Sequence, residues 1–225
     1  MPSDNSEEVT GAKPRFRALI FDFDGTIADT MEHALGVFND LAGEYGLRRL
    51  EVADVHDAKH MSLRELVRFI GIPAWRVPAL LTKGKRMLNM RMNRIAPIEG
   101  MPEVLHALAG RVPQLGIVTS NSSDNVNKFL SAHGLDCFQF VCSASTLMGK
   151  AKYLKKIIRD HHCDHEELLY VGDEIRDIEA AHQARLPVAA VTWGFNSANV
   201  LEAALPDYLL THPRQLLDIV DGGKV

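Results

Sequence analysis

Short, fully apolar runs recur along this chain with amphipathic stretches of about ten residues between them, the alternation expected of parallel strands buried on both faces and linked by helices. The most strand-like segment is Arg15 to Phe23, built on Ala18-Leu19-Ile20-Phe21. Similar runs follow at Leu115 to Thr119, Leu168 to Val171 and Pro187 to Thr192, with a weaker one at Phe138 to Cys142. Helical patterns fall at Pro102 to Ala109, Asn125 to His133, Ala151 to His161 and Ile175 to Ala184. Right-handed crossovers leave few arrangements for such a series, and a doubly wound α/β sheet is the natural one.

Residues 30–96 break this rhythm. They hold no convincing strand, and three helices are expected instead. The first runs from Thr30 to Tyr45, with Leu35, Phe38 and Leu41 at helical spacing and Gly46 placed to end it. The second spans Leu63 to Ile70 behind a capping box of Ser62 and Glu65. The third starts near Pro78 and reaches about Arg94. The predicted organisation is therefore a disordered tail over 1–14, an α/β core over 15–29 and 97–225, and an all-helical insertion over 30–96 that covers something.

Composition narrows the class. Apolar residues make up 46% and charged residues 24%, which excludes a mainly disordered chain. The net charge is −4, so no global drive exists towards nucleic acid or an anionic membrane. No apolar run approaches the roughly 18 residues of a membrane span, and Met1 to Thr10 does not read as a signal peptide. The cysteines, Cys137, Cys142 and Cys163, are odd in number and argue for a reducing, cytoplasmic setting. Charge is unevenly spread: 30–96 carries +4 and the remainder −8. That split fits either solvated helix faces or a basic lid over an anionic ligand.

Four short motifs carry candidate chemistry. The first strand runs into Asp22-Phe23-Asp24-Gly25-Thr26. Carboxylates two apart on a strand project the same way, here at the carboxyl end, where open α/β sheets bind ligands. Held together there, they require a cation or a proton between them. Ile117-Val118-Thr119-Ser120-Asn121 ends the next strong run in hydroxyl and amide groups. Gly149-Lys150-Ala151-Lys152 opens a helix with two lysines, and Val171-Gly172-Asp173-Glu174-Ile175-Arg176-Asp177 follows the strand at 168–171. Each of the last three is weak alone. Their order, each at a strand end or helix start, is the informative feature.

In that order the motifs resemble the haloacid dehalogenase-like hydrolase superfamily, in its capped phosphatase branch of the phosphoglycolate phosphatase type, over about residues 15 to 220. The resemblance implies a Rossmann-like core with a helical cap and a Mg²⁺-dependent phosphatase acting on a small phosphorylated metabolite. It implies Asp22 as nucleophile forming an aspartyl-phosphate, and Asp24 as general acid and then base. Ser120, less surely Thr119, and Lys150 would hold phosphoryl oxygens, with Gly25, Thr26 and Asn121 beside the substrate. Lys150 is preferred to Lys152 because it directly follows Gly149. Mg²⁺ would be held by Asp22, the Asp24 carbonyl and Asp173, with Asp177 supporting the metal or orienting Lys150. Aspartate at position 24 points to phosphate esters, since the dehalogenases and phosphonate-cleaving relatives lack it.

Within the insertion, Lys59, His60, Arg64, Lys83, Lys85 and Arg86 are the cations available to a second anionic group, and Arg64 is the expected one for its bidentate grip. His161, His162, Cys163 and His165 match no standard zinc spacing and read as a surface loop. Trp75, Met87, Met90 and Met92 are expected to pack the cap. Two rivals stand beside the hydrolase reading: a phosphomutase or phosphotransferase using the same intermediate, and a catalytically idle binding protein on the same scaffold. No nucleic-acid or membrane partner is expected, and the chain is expected to be a monomer or homodimer.

Overall fold

A computed structural model describes residues 15–61, 63–144, 149–161 and 164–223. The expected tail over 1–14 and Ser62 of the expected capping box lie outside the described residues. Six parallel strands form one sheet: β1 (Ala18–Phe21), β2 (Gln114–Thr119), β3 (Phe140–Ser143), β4 (Leu168–Gly172), β5 (Val188–Val191) and β6 (Tyr208–Leu210), in the order β3-β2-β1-β4-β5-β6. The order reverses between β1 and β4, the topological switch point at which doubly wound sheets bind ligands.

The period of two along β1 explains why the run is continuously apolar. Leu19 and Phe21 pack on one side of the sheet with α5 (Met101–Ala109), α6 (Ser123–Ala132) and α10 (Gln215–Val220). Ala18 and Ile20 pack on the other with α7 (Gly149–His161), α8 (Ile175–Ala184) and α9 (Ala198–Ala203). All four side chains are buried because both faces are covered. The strand is shorter than the expected Arg15 to Phe23, since the chain beyond Phe21 leaves the ladder to turn at Gly25, whose φ is +78°.

Between β1 and α5 the chain is helical: α1 (Met31–Tyr45), α2 (Val52–Ala58), α3 (Leu63–Ile70) and α4 (Val77–Asn89), with short 3-10 turns at Ala74–Arg76 and Met92–Arg94. Gly46 ends α1 in the left-handed conformation with its N–H on the Ala42 carbonyl. Val37, Leu41 and Leu80 form a small core of their own, backed by Leu47, Ile72, Met87 and Leu88. Beside it lies an apolar cavity of about 230 Å³ between α1, α3 and α4. The two ends of this insertion meet: the Asp29 N–H donates to the Ala96 carbonyl at 2.9 Å, and that of Ile98 to the Ile27 carbonyl at 2.8 Å.

Three expectations about packing need correction. Trp75 is 75% exposed and Met90 70%, so neither packs the cap; both sit where α4 and its flanking turns face water. Met92 is buried, but in the core of the sheet rather than among the cap helices. His162 and Cys163 lie outside the described residues, while the His165 ring bonds the Ala184 carbonyl at 3.0 Å. No helix among the described residues is long and apolar enough to cross a membrane.

Candidate active site

The strand ends at the switch point bring Asp22, after β1, and Asp173, after β4, side by side. Parallel pairing of β1 with β4 matches Phe21 to Val171, so the residues that leave both strands do so at one level. Asp177 comes from the first turn of α8, where it closes a capping box by accepting the Glu174 N–H at 3.1 Å. Carboxylate oxygens of Asp22, Asp173 and Asp177 all lie within 4.8 Å of one another, and all three residues are buried.

Lys150 enters this cluster from the start of α7. Its Nζ lies 2.6 Å from Asp22 Oδ2 and 2.6 Å from Asp177 Oδ1. Lys152, two positions on, is exposed, so the geometry separates the two lysines. Burial alone would lower the Lys150 ammonium; the Asp177 and Asp22 carboxylates outweigh it and hold the group above its ordinary value. The Tyr170 hydroxyl, buried beneath, reaches Asp177 Oδ1 at 3.3 Å.

Asp173 is held differently. Thr26 Oγ1 donates to its Oδ1 at 2.7 Å, and the Phe195 N–H to its Oδ2 at 2.8 Å. Thr26 is wholly buried and spends its hydroxyl on this carboxylate, so it serves Asp173 rather than lining a substrate pocket. Gly25 and Gly194 make room: a Cβ on Gly25 would lie 2.4 Å from Asp173 Oδ2, and one on Gly194 2.2 Å from it. Burial pushes the Asp173 carboxyl well above its usual range, with Glu174, Asp177 and Asp22 adding to the rise. Among the described residues no cation pairs with it. An oxygen-only set of buried carboxylates in mutual repulsion, one of them without a counter-charge, fits a hard divalent cation.

The Asp24 carboxylate is not one of this cluster and meets an amide instead. Asn121 Nδ2 approaches its Oδ2 at 3.2 Å and its Oδ1 at 3.4 Å, and Asn121 is itself fixed by the Ser122 N–H on its Oδ1 at 2.8 Å. Asn121 thus orients Asp24. Burial and then the Asp22 charge push the Asp24 carboxyl up to about 6, with Asn121 opposing. Asp22 is also raised, by burial first, with Lys150 pulling the other way. Two neighbouring carboxyls therefore differ in environment: one is clamped to an ammonium, the other to a neutral amide. That divergence is what separates a nucleophile from an acid–base group.

Thr119 and Ser120 end β2 beside these groups. The buried Thr119 hydroxyl accepts the Asn121 N–H at 3.0 Å, and Ser120 is half-buried at the cleft. From the helical insertion, Lys85 on α4 reaches the Ser120 carbonyl at 3.4 Å. Arg64, the cation expected here, stands exposed on α3, and no hydrogen bond or ion pair among the described residues joins it to the cluster. Sequence spacing could not choose among six solvated-looking cations; the α4 register brings Lys85 to the end of β2. A second contact joins the insertion to the core, where the Ser197 N–H and Asn196 Nδ2 donate to the Lys59 carbonyl at 2.9 and 3.3 Å. Arg176, inside the fourth motif but given no role from sequence, pairs with Glu174 and contributes its charge to Asp22, Asp24 and Asp173.

The sequence model of the haloacid dehalogenase-like hydrolases matches residues 19–191, which takes in all four motifs. The chain belongs to the haloacid dehalogenase-like hydrolase family. A phosphoglycolate phosphatase from Synechococcus elongatus is 35% identical to this hydrolase over 91% of the chain and 97% of its own length. Pyrophosphatase PpaX from Bacillus velezensis is 28% identical over 91% of the chain and 96% of its own. Among solved structures, a haloacid dehalogenase-like family protein from Streptococcus pneumoniae superposes with a TM-score of 0.78 at 18% identity, covering 91% of this chain and 98% of that one, and so shares the fold. The hydrolase is a phosphatase.

Proposed function

We propose that the protein hydrolyses a small phosphate monoester of the phosphoglycolate type, in the cytoplasm and with Mg²⁺, through a covalent intermediate on Asp22. The observation that carries this reading is the pair of unlike carboxyls at the end of β1: Asp22 held by Lys150, and Asp24 able to carry a proton near neutral pH. In the first step an Asp22 oxygen attacks phosphorus and the bond from phosphorus to the leaving oxygen breaks. Asp24 delivers its proton to that oxygen. In the second step Asp24 takes a proton from water, the resulting hydroxide attacks phosphorus, and Asp22 is released with inorganic phosphate. Lys150 would offset the negative charge gathering on the phosphoryl oxygens, and Ser120 at the end of β2 would donate to them.

Asp22 and Asp173 would hold Mg²⁺, with the Asp24 carbonyl as a third ligand and Asp177 in support. The ion would screen the repulsion between an attacking carboxylate and an anionic phosphoryl group. Residues 30–96 would act as a cap over the core of 15–29 and 97–225, excluding water during the first step. Phosphate release from a panel of phosphorylated metabolites, with Mg²⁺ and with EDTA, tests the reading. Release is expected in Mg²⁺ alone, strongest for 2-phosphoglycolate, and absent from Asp22→Asn. Turnover that survives in the variant places the nucleophile elsewhere, and rearrangement of substrate without free phosphate favours a mutase.

A further inference from the structure

Two cations near the strand ends keep hydrogen-bonding capacity to spare. Lys85 sends its aliphatic stem along the apolar cavity of the insertion and brings its ammonium to the Ser120 carbonyl. Among the described residues it forms no ion pair. Arg176 enters from the first turn of α8. Its Nη2 is engaged by Glu174, but its Nε is buried with no hydrogen-bond partner. A buried N–H of a guanidinium left unpaired is costly unless something outside the chain accepts from it.

The two groups sense each other. Burial lowers the Lys85 ammonium below its ordinary value, and the Arg176 charge lowers it further, ahead of the opposing pull of Asp24. Ser120, whose carbonyl Lys85 reaches, neighbours the Asn121 that holds Asp24, the proton donor to the leaving oxygen in the proposed reaction. Lys85 therefore stands on the Asp24 side of the site, whereas Lys150 serves Asp22 and Asp177. An anion set between two mutually repelling cations relieves both, as a divalent cation does for the carboxylates next door.

We infer that Lys85 and Arg176 form the subsite for a second anionic group on the leaving portion of the substrate, a carboxylate or a phosphate. This inference rests on the phosphatase reading above and names the residues that set its specificity. Because Lys85 comes from the insertion, an anionic leaving group also draws the insertion onto the core, which a neutral one does not.

Binding to catalytically silenced protein tests this separately from turnover. In full-length Asp22→Asn protein with Mg²⁺, calorimetry would compare 2-phosphoglycolate, pyrophosphate and phenyl phosphate. At least one of the two ligands with an anionic tail is expected to bind more tightly than phenyl phosphate. Adding Lys85→Met should shrink that gap about tenfold or more, the worth of one charge-assisted hydrogen bond. Lys85→Arg should restore most of it, and Arg176→Gln, checked for retained fold by circular dichroism, should narrow it as well. A gap that shrinks for 2-phosphoglycolate but not pyrophosphate identifies the tail as a carboxylate, and the reverse identifies a phosphate. Equal losses for all three ligands would assign Lys85 to the phosphoryl group and overturn the inference, as would the absence of any gap before mutation. Phosphate release by the unmutated protein reports on the parent reading alone.

Discussion

Gly194→Ala isolates the part of the site that positions Asp173. The glycine has an ordinary negative φ, so alanine brings no backbone strain, and any effect comes from the added methyl. That methyl would lie 2.2 Å from Asp173 Oδ2 and 2.3 Å from Asp173 Cβ, far inside contact distance. Asp173 cannot swing freely, because Thr26 and the Phe195 N–H grip its two oxygens at 2.7 and 2.8 Å. Either the carboxylate gives up those bonds or the 194–196 turn moves with it. Overpacking of this kind costs about 1–3 kcal/mol of stability. Disturbing the support of a metal ligand costs about 10–100-fold in metal affinity, which is roughly 1.4–2.8 kcal/mol. Titrating Mg²⁺ against thermal unfolding of both proteins reads the two effects together: the variant should melt lower in EDTA and need at least about tenfold more Mg²⁺ for the same rise in Tm. An unchanged Mg²⁺ midpoint would remove Asp173 from the cation site, whatever happened to stability.

Two further outcomes follow from the electrostatics. The carboxyls of Asp22, Asp24 and Asp173 are all raised on folding, so their contribution to stability is full below the unfolded value and is lost as pH rises through the folded one, about 6 for Asp24. A bound Mg²⁺ offsets that loss, so the Tm difference between Mg²⁺ and EDTA should widen from about pH 5 to about pH 8; a constant or shrinking difference contradicts the cluster's role as the cation site. Lys150→Met strips the ammonium from two buried carboxylates and should lower stability in EDTA by about 3–5 kcal/mol in urea titration, while Lys152→Met, at an exposed position, should stay within about 0.5 kcal/mol; comparable losses would mean that the short contacts of Lys150 carry little energy.

What could be read from the sequence was whatever depends on local pattern. Ala18-Leu19-Ile20-Phe21 must be buried on both faces, and a strand so buried ends in an open α/β sheet at its ligand edge, which places Asp22 and Asp24 without any coordinates. The third-dimension consequences were less visible. The strand Tyr208–Leu210 is three residues long at the sheet edge, and α2 carries too little apolar periodicity to stand out. Thr26 reads as a substrate hydroxyl from its place in the motif, yet a partner 147 residues away claims it. Lys85 and Arg64 are indistinguishable by composition, and the difference between them arises only from how α3 and α4 are turned relative to β2. Arg176 lay in plain view within a quoted motif, but nothing in a linear sequence shows that one of its N–H groups is buried and unmatched.

The stitched ends of the helical insertion carry a wider consequence. Chain enters at Asp29 and returns at Ala96 through a point sealed by a 2.9 Å hydrogen bond, and no strand of the sheet is interrupted by the excursion. To the sheet, those 66 intervening positions amount to a closed loop whose length and content are nearly immaterial, since closure entropy grows only slowly with loop size. In the function proposed above, the chemical apparatus and the part that would meet the substrate's leaving group are thus separable pieces of chain. One can be held fixed while the other is lengthened, replaced or retuned, and a protein built this way can change its clientele without relearning its reaction.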